Sequence, residues 1–404
     1  MKNSTSNNEI ELANELLLKA YEIRNHDTKK SIELNNQALL FFETTNNEIG
    51  KAKSLSQLGF CNVQLANYDL ALKQLYTSLH IYNEINHRTG IADVNYNLGL
   101  VFIRLGDFKM ALEHETKSLQ IRMSLNDELG MANCYMQIGY IYEHFDDLET
   151  SLVNYEKCYL LNEKNNNQQG IASALMGLGS VYVIKNDHAN VEKYLGECIK
   201  IRKSIHDPRG LGASLHRLTT YYFQNEKFED AKKTVEEGIK IATSAEDKMG
   251  EARLLILLGK IYTKLGECEK AITILTESLT MTEGIKLKSI EYEIHFALSE
   301  VYLKLNHFEK SLYYYKLYHS TKEEVLNSEI AVKVRNIETI RQMESANKEA
   351  EIHRLKNIEL KKAYETIEEK NNDLMDSIRY ARRIQQSLLP NEKYIDNAIQ
   401  KLNK

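Results

Sequence analysis

Asn97-Leu98-Gly99-Leu100-Val101-Phe102 is the stretch from which the rest of the chain can be read. A leucine or isoleucine followed by a small residue recurs as Leu58-Gly59, Leu98-Gly99, Ile138-Gly139, Leu178-Gly179, Leu218-Thr219, Leu258-Gly259 and Leu298-Ser299, always 40 residues apart. Three residues further stands an aromatic, Phe102, Tyr142, Tyr182, Tyr222, Tyr262 or Tyr302, with Asn62 breaking the row. Twelve after the small residue come Ala71, Ala111, Ser151, Val191, Ala231, Ala271 and Ser311. One step further back, Ser31 lies in a degenerate copy holding Leu18 and Tyr21, which makes eight units. A fixed period of this size marks a stacked repeat array.

Each unit divides into two amphipathic segments. Val94, Leu98, Val101, Phe102 and Leu105 fall at helical spacing, and after Gly106-Asp107 a second helix carries Met110, Ala111, Leu119 and Ile121. Asn67, Asp107, Asp147 and Asp187 share one register and suit the N-cap of that second helix. The small residue lets two helix backbones approach, and the aromatic is expected to fill the gap against the neighbouring pair. A lone helical hairpin cannot bury both faces, so the units must stack.

The Leu-Gly, Tyr and Ala offsets resemble the tetratricopeptide repeat. Its usual length is about 34 residues. Here each unit is longer and ends in a turn such as Asn126-Asp127-Glu128-Leu129-Gly130, whose glycine recurs as Gly50, Gly90, Gly130, Gly170, Gly210 and Gly250. The family's tryptophan and its proline after the second helix are missing. The longer form is similar to the arrays of bacterial signalling regulators and kinesin light chains. The resemblance covers about residues 9 to 320 and implies an all-α, right-handed solenoid.

Composition agrees with that architecture. The chain has 404 residues, 43% of them hydrophobic, with two prolines and no tryptophan. A net charge of −5 shows neither a nucleic-acid footprint nor an acidic tail. No apolar run nears membrane-spanning length and the N-terminus has no apolar signal core, so a soluble cytoplasmic protein is expected. Cys61, Cys134, Cys158, Cys198 and Cys268 form no C-x-x-C pair and read as reduced core residues. The histidines show no metal-ligand spacing, no phosphate loop occurs, and no nucleophile–base constellation stands out. No metal, cofactor or catalytic residue is therefore expected.

Residues 1–8 read as a disordered polar tail and 9–320 as the solenoid. From Thr321 to Leu389 there is neither proline nor glycine, and charged residues alternate with sparse apolar ones, which predicts one long helix over 321–389. Leu360, Tyr364, Ile367, Asn371, Leu374, Ile378, Ala381, Gln385 and Leu388 step by four and three, a coiled-coil seam. A seam asparagine favours a parallel dimer in one register. Upstream, Ile330, Val334, Ile337, Ile340, Met343 and Ile352 break that register, so a stutter is expected; a helix folded back on the solenoid is the competing reading.

Ala381-Arg382-Arg383-Ile384-Gln385-Gln386-Ser387-Leu388-Leu389-Pro390 resembles the helix that leads into the catalytic domain of SpoIIE-type, PPM-family serine/threonine phosphatases. That family's chemistry uses several aspartates to hold two divalent ions. Only Glu392 and Asp396 follow the proline before Lys404, so no catalytic residue carries over. The resemblance implies that 390–404 begins a truncated output domain, and that the chain as given is not an enzyme.

The sharper site lies on the first helices. Just before the Leu-Gly pair stand Gln57, Asn97 and Gln137, then Gly177, Arg217 and Leu257. In related arrays an asparagine at this place pairs with the backbone of an extended peptide, which an amide can do because it offers donor and acceptor together. Gln57, Asn97 and Gln137 are expected to form an amide ladder, with Arg217 and Arg253 attracting an acidic segment. The reading is a protein- or peptide-binding sensor and transmission module controlling a phosphatase output. A stand-alone scaffold dimer, a regulator that sequesters a response regulator, and the input region of a histidine kinase are the alternatives.

Overall fold

Turn chemistry sets the geometry of the chain. Asn46, Ala66, Asn86, Asn126, Asp146, Asn166, Asn186, His206, Glu226, Glu246 and Asn306 all have positive φ, and Gly106 and Gly266 take the same place elsewhere in the series. These left-handed residues end one helix every twenty residues. The N–H of Asn46 reaches the carbonyl of Glu43 at 3.3 Å and that of Asn47 reaches Phe42 at 2.9 Å, the paired bonds of a Schellman stop. The next residue then caps the following helix: Asp107, Asp147 and Asp187 accept from the N–H of Met110, Thr150 and Asn190. Asn67 departs from the expected cap, because its side chain donates to Asn62 Oδ1 instead. Replacing Asp107 by alanine is expected to cost about 1 kcal/mol, read as a lower urea midpoint.

A computed structural model describes the backbone of residues 2–285, 287–388 and 392–402. The hairpins are α1 (Lys2–Ile23) with α2 (Thr28–Thr44), α3 (Glu48–Gln64) with α4 (Tyr68–Glu84), α5 (Arg88–Leu105) with α6 (Phe108–Leu125), and α7 (Glu128–His144) with α8 (Leu148–Lys164). They continue as α9 (Gln168–Ile184) with α10 (His188–Ser204), α11 (Pro208–Gln224) with α12 (Phe228–Ser244), α13 (Lys248–Leu265) with α14 (Cys268–Ile285), and α15 (Lys288–Lys304) with α16 (Phe308–Leu388). A short α17 (Glu392–Leu402) follows. Helix α1 begins at Lys2, so the polar segment read as a disordered tail supplies its first turns. The result is an all-helical hairpin solenoid in which each first helix also packs on the next first helix, α3 on α5 and α5 on α7.

Packing repeats with the same period. Leu75 lies against Gly59, Tyr155 against Gly139, Leu195 against Gly179 and Leu275 against Gly259, where an added Cβ would collide. Ser78, Ser118, Cys198 and Ser278 each donate to the carbonyl 26 residues earlier on their own first helix, at 2.7, 2.8, 3.1 and 3.2 Å. The five cysteines are free and buried. Half of the aromatic row behaves differently from expectation, while Tyr222 does reach the neighbouring hairpin and donates to Glu192 at 3.3 Å. Phe102 stacks on His114, Tyr182 on Tyr194 and Tyr302 on Tyr314, each twelve residues on and within the same hairpin. Asn62 repeats the pairing in polar form, donating to Gln74 at 2.9 Å.

The second glycine also changes role. Gly50, Gly90, Gly130 and Gly210 are not turn residues but lie in the first turn of the next hairpin, each donating its N–H to the cap residue. Any Cβ there would strike Phe42, Tyr82, Arg122 or Arg202 from the preceding helix.

The chain divides into a unit of Met1–Ile340 and one of Arg341–Lys404. The first contains the opening turns of α16, because the last hairpin's second helix runs on without a stop. Lys333, Ile337 and Ile340 line a cavity of about 450 Å³ together with Leu105, Phe108 and Phe145. In the second unit the seam side chains Leu360, Tyr364, Ile367, Asn371, Leu374, Ile378 and Ala381 share one stripe and are all exposed. The side chains of Met343 and Leu388, and Pro390 altogether, lie outside the described residues. Among the described residues no helix is long and apolar enough to cross a membrane.

Candidate functional site

First helices that pack on one another bring the same face of successive units side by side. On units one to four this face forms a cavity of about 290 Å³, lined by Tyr21, Arg24, Lys53, Ser56, Gln57, Phe60, Tyr82, Asp93, Tyr96, Asn97, Arg122, Gly130 and Asn133. Two of the predicted amides are here. Asn97 donates to Ser56 Oγ at 3.2 Å, which bridges two units. Gln57 turns its carbonyl oxygen into a buried position with no hydrogen-bond partner among the described residues.

Gln137 is not part of that wall. It is turned to the Tyr96 hydroxyl, whose pKa is raised above the ordinary phenol value by burial first and the nearby Glu115 second. Of the three amides expected in one ladder, the structure thus places Gln57 and Asn97 on one cavity and Gln137 behind it, against Tyr96. Arg217 and Arg253 line a separate cavity of about 490 Å³ with Arg209, His216 and Asp247. His216 is held down to about 4, by burial first and then by Arg253, Arg217 and Lys260, so it stays neutral at pH 7. That second cavity carries its positive charge on arginines alone.

The structure adds residues that the amide register did not reveal. Arg122, 8% exposed, ends α6 and joins three helices. Its Nη2 meets Asp93 Oδ1 at 2.7 Å, its Nη1 meets the Asp127 cap, and its Nε donates to Ser118 Oγ at 3.1 Å. Asp93 keeps half of its side chain open to the groove. The walls still desolvate it enough to raise its pKa, against the pull of Arg122. Arg24 stacks its guanidinium 3.4 Å over the Tyr21 ring and 5.0 Å from that of Phe60.

A signal for part of this was present in the repeat. Lys53, Asp93, Asn133 and Arg253 occupy one slot, four residues before the amide slot, and one helical turn places both slots on the same face. Arg122 belongs to the row Phe42, Tyr82, Arg122, Asn162 and Arg202, which becomes visible once the second glycine is read as a packing residue. Among the described residues no cluster of histidine, cysteine and carboxylate side chains is arranged to hold a metal ion.

Comparison with known proteins follows the fold. Tetratricopeptide-repeat family models match residues 50–124, 132–165, 172–205 and 210–284, together more than half of the chain. No curated protein matches the sequence. The apo form of the quorum sensor NprR from B. thuringiensis is similar with a TM-score of 0.62 at 20% identity, over 77% of this chain and 87% of that one. The Rap conjugation gene regulator of plasmid pLS20, in complex with the Phr* peptide, gives 0.53 at 16% identity over 78% and 96%. A signal transduction ATPase with numerous domains and a tetratricopeptide repeat sensor, from Pyrococcus horikoshii, gives 0.60 at 14% over 82% and 50%. At such identities the likeness is one of fold. With its stacked hairpins and the matched repeats, the chain belongs to the tetratricopeptide-repeat family.

Proposed function

We propose that the solenoid is a peptide-binding regulatory module whose ligand lies extended along the inner face. One observation carries this reading: Asn97 and Gln57 face a single cavity on adjacent units, and the Gln57 carbonyl there is buried without a donor among the described residues. A buried unpaired acceptor costs free energy that an incoming backbone N–H recovers. The similar structures include a quorum sensor and a regulator crystallised with a peptide, which supports the same reading. The arginine-lined cavity on units five to seven suits an acidic part of the ligand.

In this proposal the protein is cytoplasmic and has no catalytic set of its own. Helix α16 forms a parallel dimer through its distal seam and carries groove occupancy to an output domain of the SpoIIE-type phosphatase kind. Ligand would act by favouring one solenoid curvature over another, and so one coil register.

The test begins with a hexapeptide selected from a random library on the full chain. Asn97→Ala is expected to weaken that peptide about 10-fold, the loss of roughly one hydrogen bond. Wild-type affinity in both Asn97→Ala and Gln57→Ala would remove the groove from the mechanism. A single cysteine placed in the seam, as in Leu374→Cys, reports the coil: native thiols are buried, so a ligand-dependent change in cross-linking is attributable to the new one.

A further inference from the structure

The repeated positions change character along the array. Arg217 stands in the slot of Asn97, and Arg253 in the slot of Asp93. Arg209, in the first turn of α11, takes a place held by Ile49, Leu129 and Met249 in other units. All three arginines line the cavity of about 490 Å³ on units five to seven. Among the described residues that line it, the one carboxylate is Asp247, which already caps α13 and accepts from the N–H of Gly250 at 3.0 Å. Among the described residues none of the three arginines makes a salt bridge, and Arg209 donates to the backbone carbonyl of Asn25 at 3.5 Å.

Three positive charges around one cavity repel each other, and a single carboxylate leaves two of them for a ligand to neutralise. His216 adds none, since burial and the field of Arg253, Arg217 and Lys260 keep it neutral at pH 7. A carboxylate brings one charge and two oxygens, which a single guanidinium fork satisfies. A phosphate monoester brings a charge of about −1.5 to −2 and three strong acceptor oxygens, enough to engage all three forks. The same cavity has an apolar wall of Met176, Met249 and Leu254, and its volume leaves room for more than a phosphate. Going beyond the peptide reading of the inner face, we infer that this cavity binds a phosphate monoester of a small organic molecule. Arg209, Arg217 and Arg253 take the phosphate, and the organic part lies against the two methionines and Leu254.

Phenyl phosphate, benzoate and inorganic phosphate, each titrated by calorimetry into the full chain without peptide, test the assignment. Wild type is expected to bind phenyl phosphate about 10-fold tighter than either of the others. Arg217→Gln and Arg253→Gln should each weaken phenyl phosphate about 10-fold, while Arg24→Gln, in the other cavity, leaves it unchanged. Met249 is 48% exposed, so Met249→Glu adds a carboxylate to the wall without disturbing the core. It should remove binding with all three arginines in place, and it decides the matter if an arginine variant fails to fold.

No binding of phenyl phosphate to wild type, or binding that survives Met249→Glu and both arginine variants, overturns the assignment. Benzoate bound as tightly as phenyl phosphate overturns it too, and leaves the arginines to an acidic segment of a peptide. Inorganic phosphate bound as tightly also overturns it, by reducing the cavity to a general oxyanion site. None of these outcomes bears on the amide-lined cavity, which Asn97→Ala and Gln57→Ala test separately.

Discussion

Glu115→Leu is expected to make the protein more stable, by about 2 kcal/mol in the third unit. Counting by the repeat, Glu115 stands where the other units carry Leu75, Tyr155, Leu195, Val235 and Leu275. Its carboxyl lies against Gly99 as Leu75 lies against Gly59, so the space is shaped for a leucine. The side chain is 0% exposed and neither oxygen has a hydrogen-bond partner of ordinary geometry among the described residues. Burial raises its pKa well above the ordinary glutamate value of 4.5, against the smaller pulls of the Cys134 thiol and Arg122. Leucine removes an unsatisfied polar group at little change in volume, which is the favourable direction for a core substitution.

The pH dependence gives a second readout. A carboxyl whose folded pKa is raised contributes a penalty that is absent below about 4.5 and grows as pH rises toward the folded value. The advantage of Glu115→Leu over wild type should therefore widen with pH above 4.5. His114, next to it, is held down to about 4 mainly by burial, so its contribution runs the other way and is lost as pH falls below its ordinary 6.5. His114 is common to both proteins and cancels in the difference. Thermal midpoints and hydrogen exchange of α5 and α6 measure the effect. An unchanged or lowered midpoint, or a gain that does not depend on pH, would contradict the account.

Leu374→Lys combined with Ile367→Lys is expected to abolish the proposed dimer. Leu360, Tyr364, Ile367, Leu374 and Ile378 are between 51% and 66% exposed, although they form one continuous apolar stripe. A helix this polar, with only that stripe to bury, gains its stability from a partner rather than from propensity. Burying each large aliphatic side chain is worth about 1.5–3 kcal/mol. Two lysines in the stripe forfeit that gain in both subunits and add like charges across the seam. Sedimentation should show the wild-type mass halved and helical content reduced. Asn371→Leu should do the opposite for stability and loosen the choice of register or strand number. A wild-type monomer, or a dimer that survives both lysines, would refute the seam.

The period of forty determined the eight hairpins and the all-helical class, and the stretch without proline or glycine after them gave the long helix. These follow from one-dimensional information, since glycine, aromatic and cap positions are dictated by contacts between residues close in the chain. The same register pointed to Gln57, Asn97, Arg217 and Arg253, because a face that repeats along the array must lie on one side of it. Tertiary structure decided the rest. Only packing shows that Phe102, Tyr182 and Tyr302 turn inward to their own hairpins, that Gln137 supports Tyr96, and that Arg217 and Arg253 lie in a different cavity from the amides. Arg24 lies between the two helices of the degenerate first unit. Its contact with Tyr21 is local, three residues back, but its approach to Phe60 exists only once two hairpins have closed around it. A local pattern can say which face a residue occupies; which groups remain unpaired on that face is settled by neighbours far along the chain.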